Sequence, residues 1–237
     1  MARLVWDQDT KRQYETGVQN GVLYVKKSDG TYDKGVAWNG LTAVTESPSG
    51  GEANPLYADN MKYLNLRSVE EFGGTIECYT YPDEWMECDG SAAISSTPGV
   101  FAGQQVRKGF GFCYRTEVGN DTEFEDYGYK LHLVYNASAS PSEKNYQTIN
   151  DNPEAITFSY EFDTTPVPFT GDNAKKYRPT SIITIDASKM KGDTAALEKL
   201  AQLEDMLYGK NAGDQVEATE PTLPTPDQVI SLFGAVA

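Results

Sequence analysis

Several stretches of this sequence alternate strictly between hydrophobic and polar residues. The clearest examples are ITFSYEF (residues 156–162) and KLHLVY (residues 130–135). A period of two places alternate side chains on opposite faces of a strand, so Leu131, Leu133 and Tyr135 are expected to share one face. Further strand candidates, rich in β-branched and aromatic residues, are GVLYVKK near Tyr24, TIECYTY at 75–81 and SIITID at 181–186. The pattern predicts a mainly β fold.

Helical periodicity is confined to the last part of the sequence. Residues 195–208 carry an apolar stripe at helical spacing, with Asp193 or Thr194 placed to cap its start and Gly209 placed to end it. The stripe consists of Leu197, Leu200, Leu203 and Leu207. A second, shorter helix is predicted after Thr225-Pro226-Asp227-Gln228, with Val229, Ile230 and Phe233 as its buried face. We therefore expect one amphipathic flanking helix and a short C-terminal helix beside the strands.

The chain shows no internal repeat and no clear boundary, so residues 1–237 are predicted to form one β-sandwich or barrel domain. Three segments are expected to project from it: an N-terminal arm at 1–14, a long loop at 45–60 and a proline-rich C-terminal arm at 217–237. Residues 45–60 (TESPSGGEANPLYADN) are too long and too poor in apolar periodicity for a core segment. We therefore expect a long projecting loop, whose apolar Leu56 and Tyr57 are suited to docking on a neighbouring subunit.

The chain is strongly acidic, with 35 Asp and Glu against 20 Lys and Arg and a net charge of −15. Such a surface repels polyanions as a whole. No segment approaches the length of a membrane span, and the N-terminus lacks the apolar centre of a secretory signal, so folding in a cytoplasm is expected. The 3 cysteines, Cys78, Cys88 and Cys113, form no C-x-x-C pair, which predicts buried thiols.

Catalytic signatures are not found in the sequence. The single histidine, His132, lies in a predicted strand with no nucleophile motif to partner it. Neither a phosphate-binding loop nor a dinucleotide-binding glycine motif occurs. We predict a protein that is not an enzyme and that uses no cofactor and no metal.

One short stretch raises a different possibility. Residues 107–116 read RKGFGFCYRT, whose first half is similar to a box of RNA-recognition domains. The similarity ends where Cys113 and Arg115 replace the valine and the later aromatic residue of that box. Phe110, Phe112 and Tyr114 then form one aromatic face, which is more typical of a core or a subunit contact. A nucleic-acid-binding module built on strand 108–114 remains the alternative hypothesis.

Longer segments resemble the major tail protein, or tail tube protein, of long-tailed phages and prophages with non-contractile tails. The segments are YETGVQNGVLY (14–24), WNGLTAVTESPSGGEANPLYADNMKYLNL (38–66), EEFGGTIECYTYPDEWMECDG (70–90), GNDTEFEDYGYKLHLVY (119–135), SPSEKNYQTINDNPEAITFSYEFDTTPV (140–167) and PTPDQVISLF (224–233). The resemblance implies a sheet-based sandwich or barrel, six copies of which form a ring. Rings would stack into a tube through which the genome leaves the capsid.

The same resemblance implies a virion protein of the phage tail that is assembled in the host cytoplasm. Its implied partners are further copies of itself, the tape measure protein and the tail terminator protein. Viral DNA would pass through without specific binding, and a wall of excess carboxylates would repel it. Two segments depart from the family pattern: 26–35, interpreted as an enlarged hairpin, and 171–177.

Self-assembly requires a ring contact between unlike patches and a second contact between stacked rings. Exposed strand edges and apolar side chains in polar surroundings are suited to both. The residues predicted for these contacts are Leu4, Trp6, Trp38, Leu56, Tyr57 and Phe233.

Overall fold

The computed structural model describes residues 3–9, 11–94, 99–149, 151, 154–212 and 218–234. The first strands are β1 (Gln13–Val25), β2 (Val36–Trp38), β3 (Leu41–Glu46), β4 (Ser49–Gly50), β5 (Ala53–Ala58), β6 (Met61–Arg67), β7 (Glu70–Glu71) and β8 (Gly73–Cys78). Next come α1 (Trp85–Cys88), β9 (Ala92–Ala93), β10 (Phe101–Ala102), β11 (Phe110–Asn120), β12 (Phe124–Ala139) and β13 (Phe158–Thr164). They are followed by α2 (Asn173–Lys176), β14 (Ile182–Asp186), a 3₁₀ turn (Ala187–Met190), α3 (Thr194–Tyr208) and α4 (Pro226–Phe233). The predicted mainly β fold with few helices is confirmed.

One antiparallel sheet organises the chain, in the order β2-β1-β11-β12-β13-β8-β3, with β14 added alongside β12. The long strand β12 has two neighbours on the side away from β11. Its residues Lys130–Val134 pair with β14, and its residues Ala137–Ala139 pair with β13. Asn136, between the two segments, has a positive φ of 50°. The sheet therefore divides at Asn136, and its two branches continue in different directions.

The inner face of the sheet encloses an aromatic core. Trp38 of β2 and Tyr160 of β13 have ring centroids 6.4 Å apart. Three strands separate β2 from β13 in the sheet order, which would place them roughly 19 Å apart in a flat sheet. The sheet is therefore rolled into a closed sandwich. Trp85 fills its centre, fully buried, with its ring 4.7 Å from Trp38 and 5.0 Å from Tyr160.

The outer face of β12 is covered by α3. The alternation predicted for residues 130–135 is confirmed, because Leu131, Leu133 and Tyr135 pack in the outer core with the helix whereas Val134 packs in the inner one. Of the predicted helical stripe, Leu200, Leu203 and Leu207 are buried, but Leu197 remains exposed in the first turn. The stripe is therefore one residue shorter than predicted.

Both predicted helix starts are confirmed. Asp193 accepts a hydrogen bond from the Ala196 amide at 3.1 Å, which satisfies one of the unpaired donors at the start of α3. Thr225 and Gln228 form a reciprocal capping box at the start of α4. Val229 is buried, whereas Phe233 is only half-buried.

Two of the segments that were predicted to project from the domain have a different structure. Residues 45–60 are not a loop, because β4, β5 and the end of β3 lie within them. The proline-rich C-terminal segment is extended, but Leu223 is buried in the outer core beside α3, so the described part of 217–237 is anchored to the domain. Residues 217 and 235–237 lie outside the described residues.

The remaining segments agree more closely with expectation. Residues 26–35 form a hairpin between β1 and β2, with a Lys26–Tyr32 bridge. The segment 171–177 contains the short helix α2. Within the N-terminal arm 1–14, β1 already begins at Gln13. Among the described residues, no helix combines the length and hydropathy that a membrane span requires.

Candidate self-assembly surface

The most prominent surface feature is a two-stranded ribbon that leaves the sandwich as an extension of β3 and β8. Beyond Glu46 the strands stay linked by a bond from the Ser47 amide to the Gly73 carbonyl at 2.8 Å, by the β4–β7 pair, and by the β5–β6 pair. We call residues 47–72 the arm, as distinct from the N-terminal arm at 1–14 and the C-terminal arm at 217–237. About twelve residues of extended chain separate its root from its tip, so it reaches roughly 40 Å.

The arm ends in a tight turn at Asp59 and Asn60. Both residues have positive φ, 52° and 62°, which is the backbone of a type I′ hairpin turn, and Asp and Asn tolerate that backbone better than other non-glycine residues. Near the root, Gly50 has a φ of 78°, and a Cβ there would lie 2.5 Å from the Val69 carbonyl oxygen. Glycine is therefore required at this position, where the opposite backbone leaves no room for a side chain.

One face of the arm is apolar and uncovered. Leu56 pairs with Leu64, and Asn54 with Leu66, so the three leucines share a face of the ribbon. Their exposed fractions are 42% for Leu56, 38% for Leu64 and 53% for Leu66. Tyr57 is on the opposite face, where it pairs with Lys62, and is exposed as well. An isolated two-stranded hairpin is at best marginally stable in water, so an uncovered face of this kind is suited to docking.

The N-terminal arm carries a second group of exposed apolar residues. Leu4, Val5 and Trp6 are all more exposed than buried in the segment that precedes β1. The Arg12 guanidinium holds this segment by donating to the Asp7 carbonyl at 2.8 Å. Leu4 and Trp6 are therefore placed at the surface, as a contact role requires.

The predicted interface residues differ in their exposure. Leu4, Trp6, Leu56 and Tyr57 are exposed. Trp38 was wrongly predicted as a surface contact: it is only 3% exposed, and its indole N–H donates to the Thr80 carbonyl at 3.0 Å inside the core. Phe233 is half-buried because it packs against the outer core next to α3.

The main sheet also has unpaired edges within the described part of the chain. β3 pairs only with β8, and β14 pairs only with β12. The first residues of β1, Gln13 to Thr16, pair with β11 on one side alone. Unpaired backbone N–H and C=O groups at such edges can accept a strand from another chain.

The aromatic strand at 108–114 faces inward. Phe110 and Phe112 are fully buried, and Tyr114 is 2% exposed, all three in the inner core. Base stacking requires aromatic rings that a nucleotide can reach. In this fold those rings contact other core rings, such as Trp85 against Phe110 at 4.9 Å.

At the root of the arm, Glu46 connects the ribbon to the opposite layer of the sandwich. Its Oε1 accepts a hydrogen bond from the Tyr114 hydroxyl at 2.5 Å and lies 3.3 Å from His132 Nδ1. The contact with His132, which has the larger effect, and the contact with Tyr114 hold the pKa of the Glu46 carboxyl below its usual value. The carboxylate is therefore ionised at neutral pH.

Reactive groups are withdrawn from the surface. Cys78, Cys88 and Cys113 are free and buried, as predicted, and burial raises their pKa values to about 11, about 12 and about 12. Thiols with such pKa values are protonated and unreactive near neutral pH. Within the described residues, no group of His, Cys, Asp and Glu is arranged to hold a metal ion.

No protein-family model matches this chain, and no curated protein matches it.

Leu64, Leu66 and Glu46 were missed from the sequence. Leu64 and Leu66 are two residues apart, which is a strand signal, but Tyr63 and Met61 make the same stretch apolar on both faces. Regular pairing across the Asp59-Asn60 turn would have placed Leu64 opposite Pro55, and only the register shift between Leu56 and Tyr57 brings the two leucines opposite Leu56 and Asn54. Glu46 gave no such signal, because its contacts with Tyr114 and His132 depend on how the sheet closes.

Proposed function

We propose that this protein is a structural component of a phage tail that assembles into six-membered rings, which stack into the tail tube. The uncovered leucine face of the arm is the observation that carries the proposal. A two-stranded ribbon of about 40 Å reaches beyond the sandwich and presents apolar side chains that the described residues leave exposed. Docking on a second copy would cover them.

The energy available from the arm is large enough to matter. The exposed fractions of Leu56, Leu64 and Leu66 together exceed that of one fully exposed residue. Burying this area contributes roughly 2–4 kcal/mol for each arm. Every subunit of a ring would repeat this contact, so small individual contributions would add up between one ring and the next.

The unpaired strand edges suit the contact between neighbouring subunits within a ring. An edge such as β14 or β3 can add a strand from a neighbouring copy through backbone hydrogen bonds. Side-by-side joining of sheets would close the wall of a tube, whereas the arms would connect a ring to its neighbours. These two contacts use different surfaces, as stacked rings require.

Under this proposal the protein belongs to the virion tail, is assembled in the host cytoplasm and performs no catalysis. Its partners are further copies, the tape measure protein and the tail terminator protein. The net charge of −15 would favour an acidic lumen through which viral DNA passes without adhering. A structure of the assembled ring with a positively charged lumen would contradict this last point.

The assembly proposal is tested by electron microscopy of purified protein at rising concentration, with two matched variants. Leu64→Asp places a charge on the leucine face, and Asn65→Asp places the same charge at the next residue of the same exposed strand. We expect tubes from the wild type and from Asn65→Asp, but no tubes from Leu64→Asp, because docking of the arm on the next ring would bury its charge. A wild type that stays monomeric at every concentration, or a Leu64→Asp variant that assembles normally, would contradict the proposal.

A further inference from the structure

A groove opens at the end of β1 that is farthest from the N-terminal arm. It is lined by residues of the 26–35 hairpin, of α1 and of the β9–β10 pair, and its volume is about 370 Å³. Its apolar lining is formed by Val25, Val36, Met86 and Phe101, and Phe101 is 41% exposed. A space of this size is within the range in which proteins bind ligands, so it can accept a large side chain.

Carboxylates also line the groove, and two of them are unpaired within the described part of the chain. Asp83 and Glu84 are exposed and form no ion pair or side-chain hydrogen bond there. Their backbone is held in place because the next residue, Trp85, is fully buried in the inner core. The other charged groups of the lining have partners: Asp33 with Lys27 at 3.3 Å, Glu87 with Lys108 at 2.6 Å and Lys34 with Glu220 at 3.9 Å. The groove therefore favours an occupant that combines apolar side chains with a positive charge.

The first described residues of the N-terminal arm have this chemistry. Leu4, Val5 and Trp6 are all exposed, Leu4 by 74% and Trp6 by 73%. Arg3 directly precedes them, is exposed and has no ion-pair partner among the described residues. The first carboxylate of the sequence is that of Asp7. In a chain with a net charge of −15, this short cationic and apolar segment is complementary to the acidic groove.

The N-terminal arm lies far from the groove of its own chain. Arg12 donates to the Asp7 carbonyl at 2.8 Å and lies 3.5 Å from the Asp121 carboxylate in the β11–β12 turn. These contacts hold Trp6 near the start of β1. Val25, at the other end of that 13-residue strand, lines the groove roughly 40 Å away. The arm and the groove of one chain therefore cannot meet unless these contacts break, whereas the arm and the groove of two copies can.

We propose that the groove of one copy receives the N-terminal arm of a second copy, with Trp6 among the apolar side chains and Arg3 beside Asp83 and Glu84. Because the arm and the groove lie at opposite ends of β1, this contact joins copies head to tail. It leaves a free arm at one end of every row of copies and a free groove at the other, so the row does not close. Within the proposed function, on which it rests, the docking joins successive rings and uses a surface other than the leucine face.

The docking is tested without assembly by fluorescence anisotropy of a synthetic peptide with the sequence of residues 2–9, ARLVWDQD, acetylated at its first residue and labelled at its last. The full-length protein is kept at concentrations at which it is monomeric. We expect saturable binding to the wild type. Arg3→Glu in the peptide should weaken binding about tenfold, because attraction to the two carboxylates becomes repulsion. Trp6→Ala in the peptide should weaken it as well, because the apolar anchor is lost.

Reversal of the charges in the groove gives the complementary test. Asp83→Lys combined with Glu84→Lys should weaken binding of the natural peptide about tenfold and should restore binding of the Arg3→Glu peptide. Glu154→Lys combined with Glu198→Lys is the matched control, since it reverses two exposed carboxylates that have no ion pair within the described residues. This control protein should bind both peptides as the wild type does.

A wild type that does not bind the peptide, or a groove variant that binds both peptides as the control does, would overturn the docking. Electron microscopy of the same full-length proteins separates it from the proposed function. Tubes formed equally well by the wild type, by Arg3→Glu and by the groove variant would reject the docking alone. Tubes from Arg3→Glu but not from the groove variant would show that another segment fills the groove, which also rejects it. Conversely, peptide binding by a protein that never forms tubes would reject the tail tube function and leave the docking standing.

Discussion

Gly111 offers a sharp test of how the C-terminal segment is packed. This glycine stands in the middle of the GFGF stretch of β11, and its Cα faces the outer core. A methyl group there would overlap Cδ2 of Leu223 and lie 3.1 Å from Cε1 of Tyr32. Leu223 is buried against α3, so it has little freedom to move away. The glycine is explained by packing, without any contact to a nucleotide.

The magnitude follows from two opposing effects. Overpacking of a filled core costs ~1–3 kcal/mol, whereas replacing glycine by alanine lowers the entropy of the unfolded chain and recovers ~0.4–1 kcal/mol. Gly111→Ala should therefore destabilise the wild type by about 1–2 kcal/mol. Leu223→Ala should cost about 2–5 kcal/mol by itself, because it leaves a cavity. In the Leu223→Ala background the overlap with Leu223 is gone and only the close contact with Tyr32 remains, so Gly111→Ala should cost clearly less than in the wild type.

Urea unfolding followed by tryptophan fluorescence measures these differences, because Trp38 and Trp85 lie in the inner core. The protein concentration should stay below any association threshold, since association would add to the apparent stability. Gly103→Ala is the matched control: its added Cβ meets nothing within 4 Å, so a change within about 0.5 kcal/mol is expected. If Gly111→Ala costs the same in both backgrounds, Leu223 does not pack against β11.

Two further predictions concern the titration of side chains. Burial raises the pKa values of Cys78, Cys88 and Cys113 to about 11, about 12 and about 12. These thiols should therefore not react with Ellman's reagent in the native protein at about pH 8, whereas all should react in urea. Rapid labelling of the native protein would contradict their burial. Hydrogen bonds from Thr170 and then Asn173 lower the pKa of Asp227, so its contribution to stability is present above the unfolded value of about 3.9 and is lost as the pH falls through the lowered pKa. The difference in unfolding temperature between the wild type and Asp227→Asn should therefore be larger at about pH 6 than at about pH 3. A difference that stays the same at both pH values would show that these hydrogen bonds do not favour the ionised carboxylate.

Local periodicity was a sound guide wherever one face of an element is buried. Residues 130–135 alternate because α3 covers one face of β12 and the inner core covers the other. Helix α3 and the capping box of α4 were equally predictable, since their signals lie within a few residues of each other. In these elements the burial pattern and the sequence pattern express the same geometry.

The arm was not predictable in the same way. Its strands are exposed on both faces, so Leu56 and Tyr57 follow each other without alternation, and the stretch 45–60 was interpreted as a loop. The predictions for Trp38 and for the C-terminal segment that contains Leu223 were wrong for a different reason. Each lies in a short or irregular segment whose burial is decided by distant elements: the rolled sheet for Trp38 and the space beside α3 for Leu223. Tertiary closure, not local propensity, decides such positions.

The distribution of buried and uncovered surface separates folding from association. Both cores are filled by residues of this chain, with Trp85 at the centre of one and Leu203 in the other. Exposed apolar side chains lie outside both cores, many of them on the arm and in the N-terminal segment and others, such as Val106, Phe124 and Ile149, elsewhere on the surface. The net charge of −15 opposes contact between like copies. Association then depends on whether covering the arm outweighs that repulsion, and repulsion between surface charges weakens as salt shortens the screening length to about 8 Å at physiological ionic strength. In the proposed assembly, the leucine face and the charge therefore act in opposite directions.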